Sequence, residues 1–172
     1  MRMLTEEKTC AFSGHREIPD RIVGGLIDLI DRAIAYCYRN SVRTFFCGGA
    51  IGFDTIAAER VLRAKETYPD IRLSLVLPCE DQDKFWSPSE KARYRAILAA
   101  ADAVCYISET YSKGCLKERN ERLAFACDYL VCYVDHAPSG AAQTRRMAEK
   151  LGRTVFNLAR SLSQPRGENQ EE

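Results

Sequence analysis

Short polar segments follow several apolar runs of this sequence, and they carry residue types suited to binding a charged small molecule. The first is Ser13-Gly14-His15-Arg16. Glycine lets the backbone approach a ligand closely, and the Arg16 guanidinium can clamp a phosphate through two hydrogen bonds. His15 could donate a hydrogen bond or transfer a proton. A tight turn with a surface His and Arg explains the same residues equally well.

A glycine-rich loop, Gly48-Gly49-Ala50-Ile51-Gly52-Phe53-Asp54, leads directly into a predicted helix. At such a junction, free backbone N–H groups and the positive helix end attract an anion. The loop lacks the spacing of the dinucleotide-binding G-x-G-x-x-G motif and the Lys-Ser/Thr pair of a P-loop. Asp54 could cap the helix or bind a ribose hydroxyl or a base edge. We favour a ligand loop over a turn that needs glycine for steric reasons.

Three later segments add candidate ligand-binding residues. Trp86, the only tryptophan, could stack on a base or seal the core under its loop. Arg119 and Asn120 lie on a predicted helix, where Asn120 shares the apolar face and therefore needs a polar partner. Ser139 and Gly140 precede the last long helix and form either a second anion site or a plain connection.

These segments separate two kinds of structural element. Apolar runs predict strands at residues 9–13, 44–47, 71–77, 103–107, 129–134 and 154–157, and helical periodicity predicts helices at 20–39, 54–68, 89–101, 116–127 and 141–151. This alternation is typical of an α/β fold with a doubly wound, mostly parallel sheet of about six strands and helices on both faces. Ligands bind outside the carboxyl ends of such strands, which is where all the candidate segments fall.

Length and composition limit the protein class. The 172 residues, 46% hydrophobic and 28% charged, fit a single globular domain, which we place at residues 1–160 with a flexible polar tail at 161–172. Neither a membrane span nor a signal peptide is evident, so a cytoplasmic location is the default expectation. The net charge of +1 offers no strong field and argues against a nucleic-acid partner.

Cysteine and histidine usage gives no indication of a metal site. The chain has eight cysteines without C-x-x-C spacing and two histidines, His15 and His136, so no metal is predicted. Cysteines within apolar runs, such as Cys105, are expected to be buried, reduced core thiols. Cys115 falls in a predicted loop and is the candidate for a reactive thiol.

Taken together, the motifs resemble a known family. S-G-H-R, G-G-A-I-G-F-D, the segment with Gln82, Trp86 and Tyr94, G-C-x-x-x-R-N and the Ser139-Gly140 loop are similar to the YpsA-like family of the SLOG superfamily. That superfamily also contains DprA and the Lonely Guy phosphoribohydrolases. The resemblance implies a Rossmann-like fold and a nucleotide-derived ligand. The Lonely Guy motif P-G-G-x-G-T-x-x-E is not reproduced here.

Three functional hypotheses follow. The first is binding or sensing of a nucleotide-derived, phosphate-bearing molecule, such as NAD or ADP-ribose, at the glycine-rich loops. The second is a hydrolase that cleaves an N-glycosidic or phosphate bond, with Asp54 or His15 as general acid–base. The third is binding of single-stranded nucleic acid, which the charge disfavours. A homo-oligomer is compatible with the sequence.

Overall fold

The strands and helices alternate strictly along the chain. The structure, a computed structural model, describes residues 6–163. It contains strands β1 (Lys8–Gly14), β2 (Val42–Cys47), β3 (Arg72–Cys79), β4 (Ala103–Ser108), β5 (Tyr129–Tyr133) and β6 (Thr154–Asn157). The helices are α1 (Asp20–Arg39), α2 (Phe53–Ala64), α3 (Pro88–Ala100), α4 (Cys115–Ala126), α5 (Gly140–Lys150) and the short α6 (Ala159–Leu162). All predicted elements are present.

The six strands form one sheet in the order β4-β3-β2-β1-β5-β6. Every neighbouring pair is parallel, which confirms the Rossmann-like prediction. The chain winds outward from β1 to β4 and then returns to place β5 on the other side of β1. The strand order therefore reverses between β1 and β5, where a crevice opens at the carboxyl ends of the strands.

Alternating side chains of the central strands divide the core between the two faces of the sheet. Cys10 and Phe12 of β1 pack with α1, α2 and α3, whereas Ala11 points to the face covered by α4 and α5. Small residues are common on the second face, where alanines such as Ala124 and Ala142 pack. Both faces are thus covered by helices, as the apolar strands predicted.

Most element boundaries differ from the prediction by one or two residues, and the end of α2 differs by four. Helix α2 ends at Ala64 rather than at residue 68, because the chain turns before Tyr68. Helix α3 begins at Pro88 rather than at residue 89, because Ser87 caps it. Of the expected tail, Ser161 and Leu162 complete α6, and residues 164–172 lie outside the described part of the chain.

The expected exposures of two cysteines are reversed. Cys115 is buried as the first residue of α4, whereas Cys105 on β4 is exposed. The reason is that α4 must carry the chain from the edge strand β4 across to β5, so it leaves part of β4 uncovered. In residues 6–163, no helix is both long enough and apolar enough to cross a membrane.

Candidate functional site

A cavity of about 460 Å³ opens at the crevice between β1 and β5. Its volume lies within the range of small-molecule sites. The lining residues come from the loops after β1, β2 and β5 and from one side of α4. They are Ser13, Gly14, His15, Arg16, Ala50, Asp54, Leu116, Arg119, Asn120, Leu123, Ser139, Gly140 and Ala141.

The carboxyl of Asp54, at the start of α2, is buried in the wall of this cavity. Its Oδ2 accepts a hydrogen bond from the Ala50 backbone N–H at 3.3 Å. Its Oδ1 is buried and has no hydrogen-bond partner among the described residues. Burial raises the pKa of Asp54 to about 6, although the positive charge of Arg119 opposes the rise. The carboxyl therefore places an acid that titrates near pH 6 in the wall of the cavity, next to the Arg119 guanidinium.

Arg119 on α4 faces Asp54 across the cavity floor. Its Nη1 donates to the Gly48 carbonyl at 2.6 Å, and its Nε donates to Asn120 Oδ1 at 2.8 Å. A Cβ on Gly48 would lie 2.6 Å from Arg119 Nη1 and 3.0 Å from Asp54 Oδ2. Gly48 therefore has no side chain because the guanidinium and the carboxylate occupy that space.

The other loop glycines permit close packing and do not line the cavity. A Cβ on Gly52 (φ +79°) would lie 2.1 Å from the Arg16 carbonyl oxygen, and one on Gly49 (φ +68°) would lie 2.3 Å from Leu77. The Gly49 carbonyl accepts a hydrogen bond from Gln82 Nε2 at 3.2 Å. These two glycines bring the β1 loop, α2 and β3 together.

The start of α5 contributes a helix end that opens into the cavity. Ser139 caps it, since its Oγ accepts from the Ala142 N–H at 3.0 Å. Gly140 and Ala141 occupy the first helical positions and line the cavity. At α2, the Phe53 N–H already donates to the His15 carbonyl at 3.1 Å. Each of the two helix starts thus has one backbone donor already paired, and both reach the cavity, α5 through Gly140 and Ala141 and α2 through Asp54.

His15 lies at the edge of the cavity, next to the β5 loop. Its ring stacks on His136, with ring centroids 3.9 Å apart, and its Nε2 lies 3.1 Å from Asp135 Oδ1. The same carboxylate oxygen lies 2.6 Å from His136 Nδ1. Burial and the neighbouring His136 lower the pKa of His15. Hydrogen bonding from His136 in turn lowers the pKa of Asp135.

Most of the predicted site residues come together in this cavity. Those that line it are Ser13, Gly14, His15, Arg16, Asp54, Arg119, Asn120, Ser139 and Gly140. Gly48 touches it only through its contact with Arg119, and Gly49 and Gly52 lie behind it. Trp86 packs edge-to-face on Tyr94 with centroids 5.1 Å apart, outside the cavity lining.

Several residues of the site were not predicted. Ala50, rather than the glycines beside it, lines the cavity, together with Leu116, Leu123 and Ala141. The two leucines share a face of α4 with Asn120, a pattern visible in the sequence. Asp135 and His136 were not singled out, because no sequence signal shows that they face His15 across 120 residues.

Comparison with known proteins gives relatives of this fold. The SPbeta prophage-derived protein YoqJ of Bacillus subtilis is 26% identical over 156 residues, which cover 83% of this chain and 87% of YoqJ. DNA processing protein A (DprA) from Streptococcus pneumoniae superimposes with a TM-score of 0.66 at 21% identity, covering 88% of this chain but only 50% of DprA.

A second DprA structure corrects one expectation. DprA from Helicobacter pylori has a TM-score of 0.64 at 21% identity, covering 96% of this chain and 68% of DprA, and its structure is described for its single-stranded DNA binding mode. The expectation against a nucleic-acid partner is therefore wrong. A net charge near neutral does not exclude such a partner, because binding depends on local rather than total charge.

The family itself is settled by a match over most of the chain. The family model YpsA, described as the YspA SLOG family, matches residues 19–154. This range runs from just before α1 to the first residue of β6. It includes Asp54, Arg119 and the start of α5. The described fold, the motifs and this match agree, and the chain belongs to the YpsA family of SLOG proteins.

Proposed function

We propose that this protein binds a nucleotide-derived, phosphate-bearing small molecule in the cavity between β1 and β5. The observation that carries the proposal is the cavity itself, which brings Arg16, Arg119 and the start of α5 together with the Asp54 carboxyl at the carboxyl ends of the strands. Cationic groups and a helix start beside a carboxyl are the polar groups that a phosphate and a hydroxyl require.

The two ends of the cavity suit the two ends of such a ligand. Arg16, Arg119 and the start of α5 supply positive potential for a phosphate. Asp54 suits a hydroxyl, because a carboxyl with a pKa near 6 can accept a hydrogen bond or donate one near neutral pH. A phosphorylated ribose carries both groups.

Ligand-induced stabilisation tests the proposal. We expect at least one of AMP, ADP-ribose and NAD to raise the melting temperature, because a ligand at 100 times its Kd adds about 2.7 kcal/mol to the free energy of unfolding. The Gly48→Ala variant should lose most of this shift while remaining folded. Its Cβ displaces the Arg119 guanidinium, whose charge-assisted hydrogen bond to a phosphate is worth roughly 1.5–3 kcal/mol.

A matched glycine variant separates binding from general damage. Gly24 lies on α1 with open space around its Cβ position, so Gly24→Ala should keep the full ligand-induced shift. If no nucleotide shifts the wild type at millimolar concentration, the binding proposal fails. If Gly48→Ala responds like the wild type, the ligand binds elsewhere on the molecule.

Asp54 also favours a second candidate, a nucleotide hydrolase. A general acid–base works best with a pKa near the working pH, and burial places the pKa of Asp54 at about 6. Chromatography of the same nucleotides after incubation would reveal a released base or phosphate. Asp54→Asn should then abolish turnover while ligand binding remains measurable. If the nucleotides remain intact after incubation with the wild type, the hydrolase hypothesis fails and ligand binding is the remaining function.

Single-stranded nucleic acid is a further candidate, favoured by the fold shared with H. pylori DprA. Arg16 at the cavity rim could contact a backbone phosphate. Binding of a labelled oligonucleotide should then weaken steeply as salt rises, because each neutralised phosphate releases counterions. A mononucleotide that binds with equal affinity and little salt dependence would identify the small-molecule function instead.

A further inference from the structure

Three potential metal ligands converge where the loop after β1 meets the loop after β5. They are His15 Nε2, Asp135 Oδ1 and His136 Nδ1, and these atoms all lie within 4.8 Å of one another. The Asp135 oxygen lies 3.1 Å from the His15 nitrogen and 2.6 Å from the His136 nitrogen.

We propose that His15, Asp135 and His136 form a binding site for a divalent transition-metal ion of the zinc type. Two imidazoles and one carboxylate are a ligand set that favours zinc and its neighbours over magnesium or calcium. Ligand atoms around one tetrahedral zinc ion, at bond lengths of 2.0–2.2 Å, lie roughly 3.4 Å apart. The two separations, 3.1 Å and 2.6 Å, are somewhat shorter than this value. Because the His15 and His136 rings stack in nearly parallel planes, the exposed His136 ring must rotate out of the stack to aim its Nδ1 at an ion held by His15 and Asp135.

The fold holds two of the three ligands, His15 and Asp135, in position before any metal arrives. The His15 N–H donates to the Tyr133 carbonyl at 3.3 Å, which links the end of β1 to β5. The Tyr133 ring packs edge-to-face on the His15 ring. Tyr133 Oη also donates to Asp135 Oδ2 at 3.2 Å. Such partners orient metal ligands, and this one leaves Oδ1 as the coordinating oxygen.

The hydrogen bonding of His15 is suited to coordination. Its Nε2 accepts a hydrogen bond from the Asp135 backbone N–H at 3.0 Å, so it carries a lone pair in this arrangement. A bound ion takes the place of that N–H as the partner of the lone pair.

The position of the site sets what a bound ion can reach. His15 lines the cavity, whereas His136 and Asp135 face solvent. Three protein ligands leave the fourth position of a tetrahedral ion open to water or to an oxygen of a bound molecule. The ion would thus add positive charge at the mouth of the cavity.

Zinc titration of tag-free, chelator-treated protein tests the site. The Cys105→Ser variant serves as the starting protein, because the exposed Cys105 thiol would otherwise compete for zinc. We expect calorimetry to find one equivalent of bound Zn²⁺. The His136→Gln and Asp135→Asn variants should each bind at least tenfold more weakly, since each removes a direct ligand from the ion. Asp28→Asn, an exposed carboxylate on α1, is the control and should bind as the starting protein does.

Cobalt absorption identifies the ligand atoms independently of affinity. Co²⁺ bound here should show visible bands without the near-ultraviolet charge transfer of a thiolate ligand. His136 and Asp135 are half exposed or more, so their variants should fold as the starting protein does, which circular dichroism checks. No zinc binding at millimolar metal, equal affinity in the His136 and Asp135 variants, or a thiolate band would each overturn the proposal. No nucleotide is present, so this result is independent of ligand binding.

Discussion

The buried carboxyl of Asp54 sets a pH dependence of stability that runs opposite to that of an ordinary ion pair. Burial raises its pKa from 3.8 to about 6 in the folded protein. Between these two values the folded state holds a proton that the unfolded state has released. The stabilisation that Asp54 contributes to the folded protein is therefore fully present below pH 3.8 and is lost as the pH rises through about 6.

Asp54→Asn should remove this dependence. Relative to the wild type, we expect the variant to gain stability as the pH rises from 4 to 7, by a total of roughly 3 kcal/mol, because two pKa units correspond to that energy. Denaturant unfolding at several pH values measures the difference. Taking the difference between variant and wild type cancels the titration of other carboxyls, such as Asp70 and Asp102.

Asp28→Asn provides the comparison, because Asp28 is exposed on α1. An Asp54→Asn difference that follows the Asp28→Asn difference across this pH range would show that the Asp54 carboxyl stays ionised when the protein folds, and the acid–base hypothesis would lose its support.

Among the elements, helix α3 shows how a local motif sets a boundary. Ser87 Oγ accepts from the Glu90 N–H at 3.3 Å, and the Glu90 carboxylate accepts from the Ser87 N–H at 3.1 Å. This reciprocal capping box satisfies two backbone donors that the first turn leaves unpaired. Pro88 follows at the first helical position, where its missing N–H costs nothing.

Removing the cap should destabilise the protein measurably. We expect Ser87→Ala to lower the free energy of unfolding by about 1 kcal/mol, a typical loss for a helix cap. Ser89→Ala, two residues further along the chain, should lower the free energy of unfolding by less than half of that amount. Urea unfolding of the two variants separates them, and an equal loss would show that the cap does not depend on Ser87.

The sequence predicted the elements well because their signals are local. Apolar runs and helical periodicity mark each strand and helix, and the βαβ rule places their loops on one rim. The order of strands along that rim is not local. Gly49, after β2, turns toward Gln82 and Tyr94 beyond β3, whereas Ser139 and Asp135, after β5, lie beside β1. The sequence therefore could not show which of these loops share the cavity.

For the whole molecule, the same return of the chain from β4 to β5 determines which surface stays open. Helix α4 crosses the sheet to reach β5, so β4 is left as a partly exposed edge strand. Val104, Cys105 and Tyr106 on β4 and Phe125 on α4 remain accessible to solvent. Of the eight cysteines, the seven others are buried.

This arrangement predicts a distinctive pattern of thiol reactivity. In the native protein without reductant, we expect a chromogenic disulfide reagent to modify one thiol rapidly and the other seven only as the protein unfolds. Burial shields those seven, and it also raises the pKa of Cys127 to about 11 and that of Cys132 to about 12, so few thiolates form. In denaturant, all eight should react.

Cys105→Ser should remove the rapid phase alone, whereas Cys115→Ser, at the buried start of α4, should leave it intact. A rapid phase that persists in Cys105→Ser would contradict the uncovered edge at β4. A rapid phase that slows as the protein concentration rises would show that a second copy of the chain covers that edge.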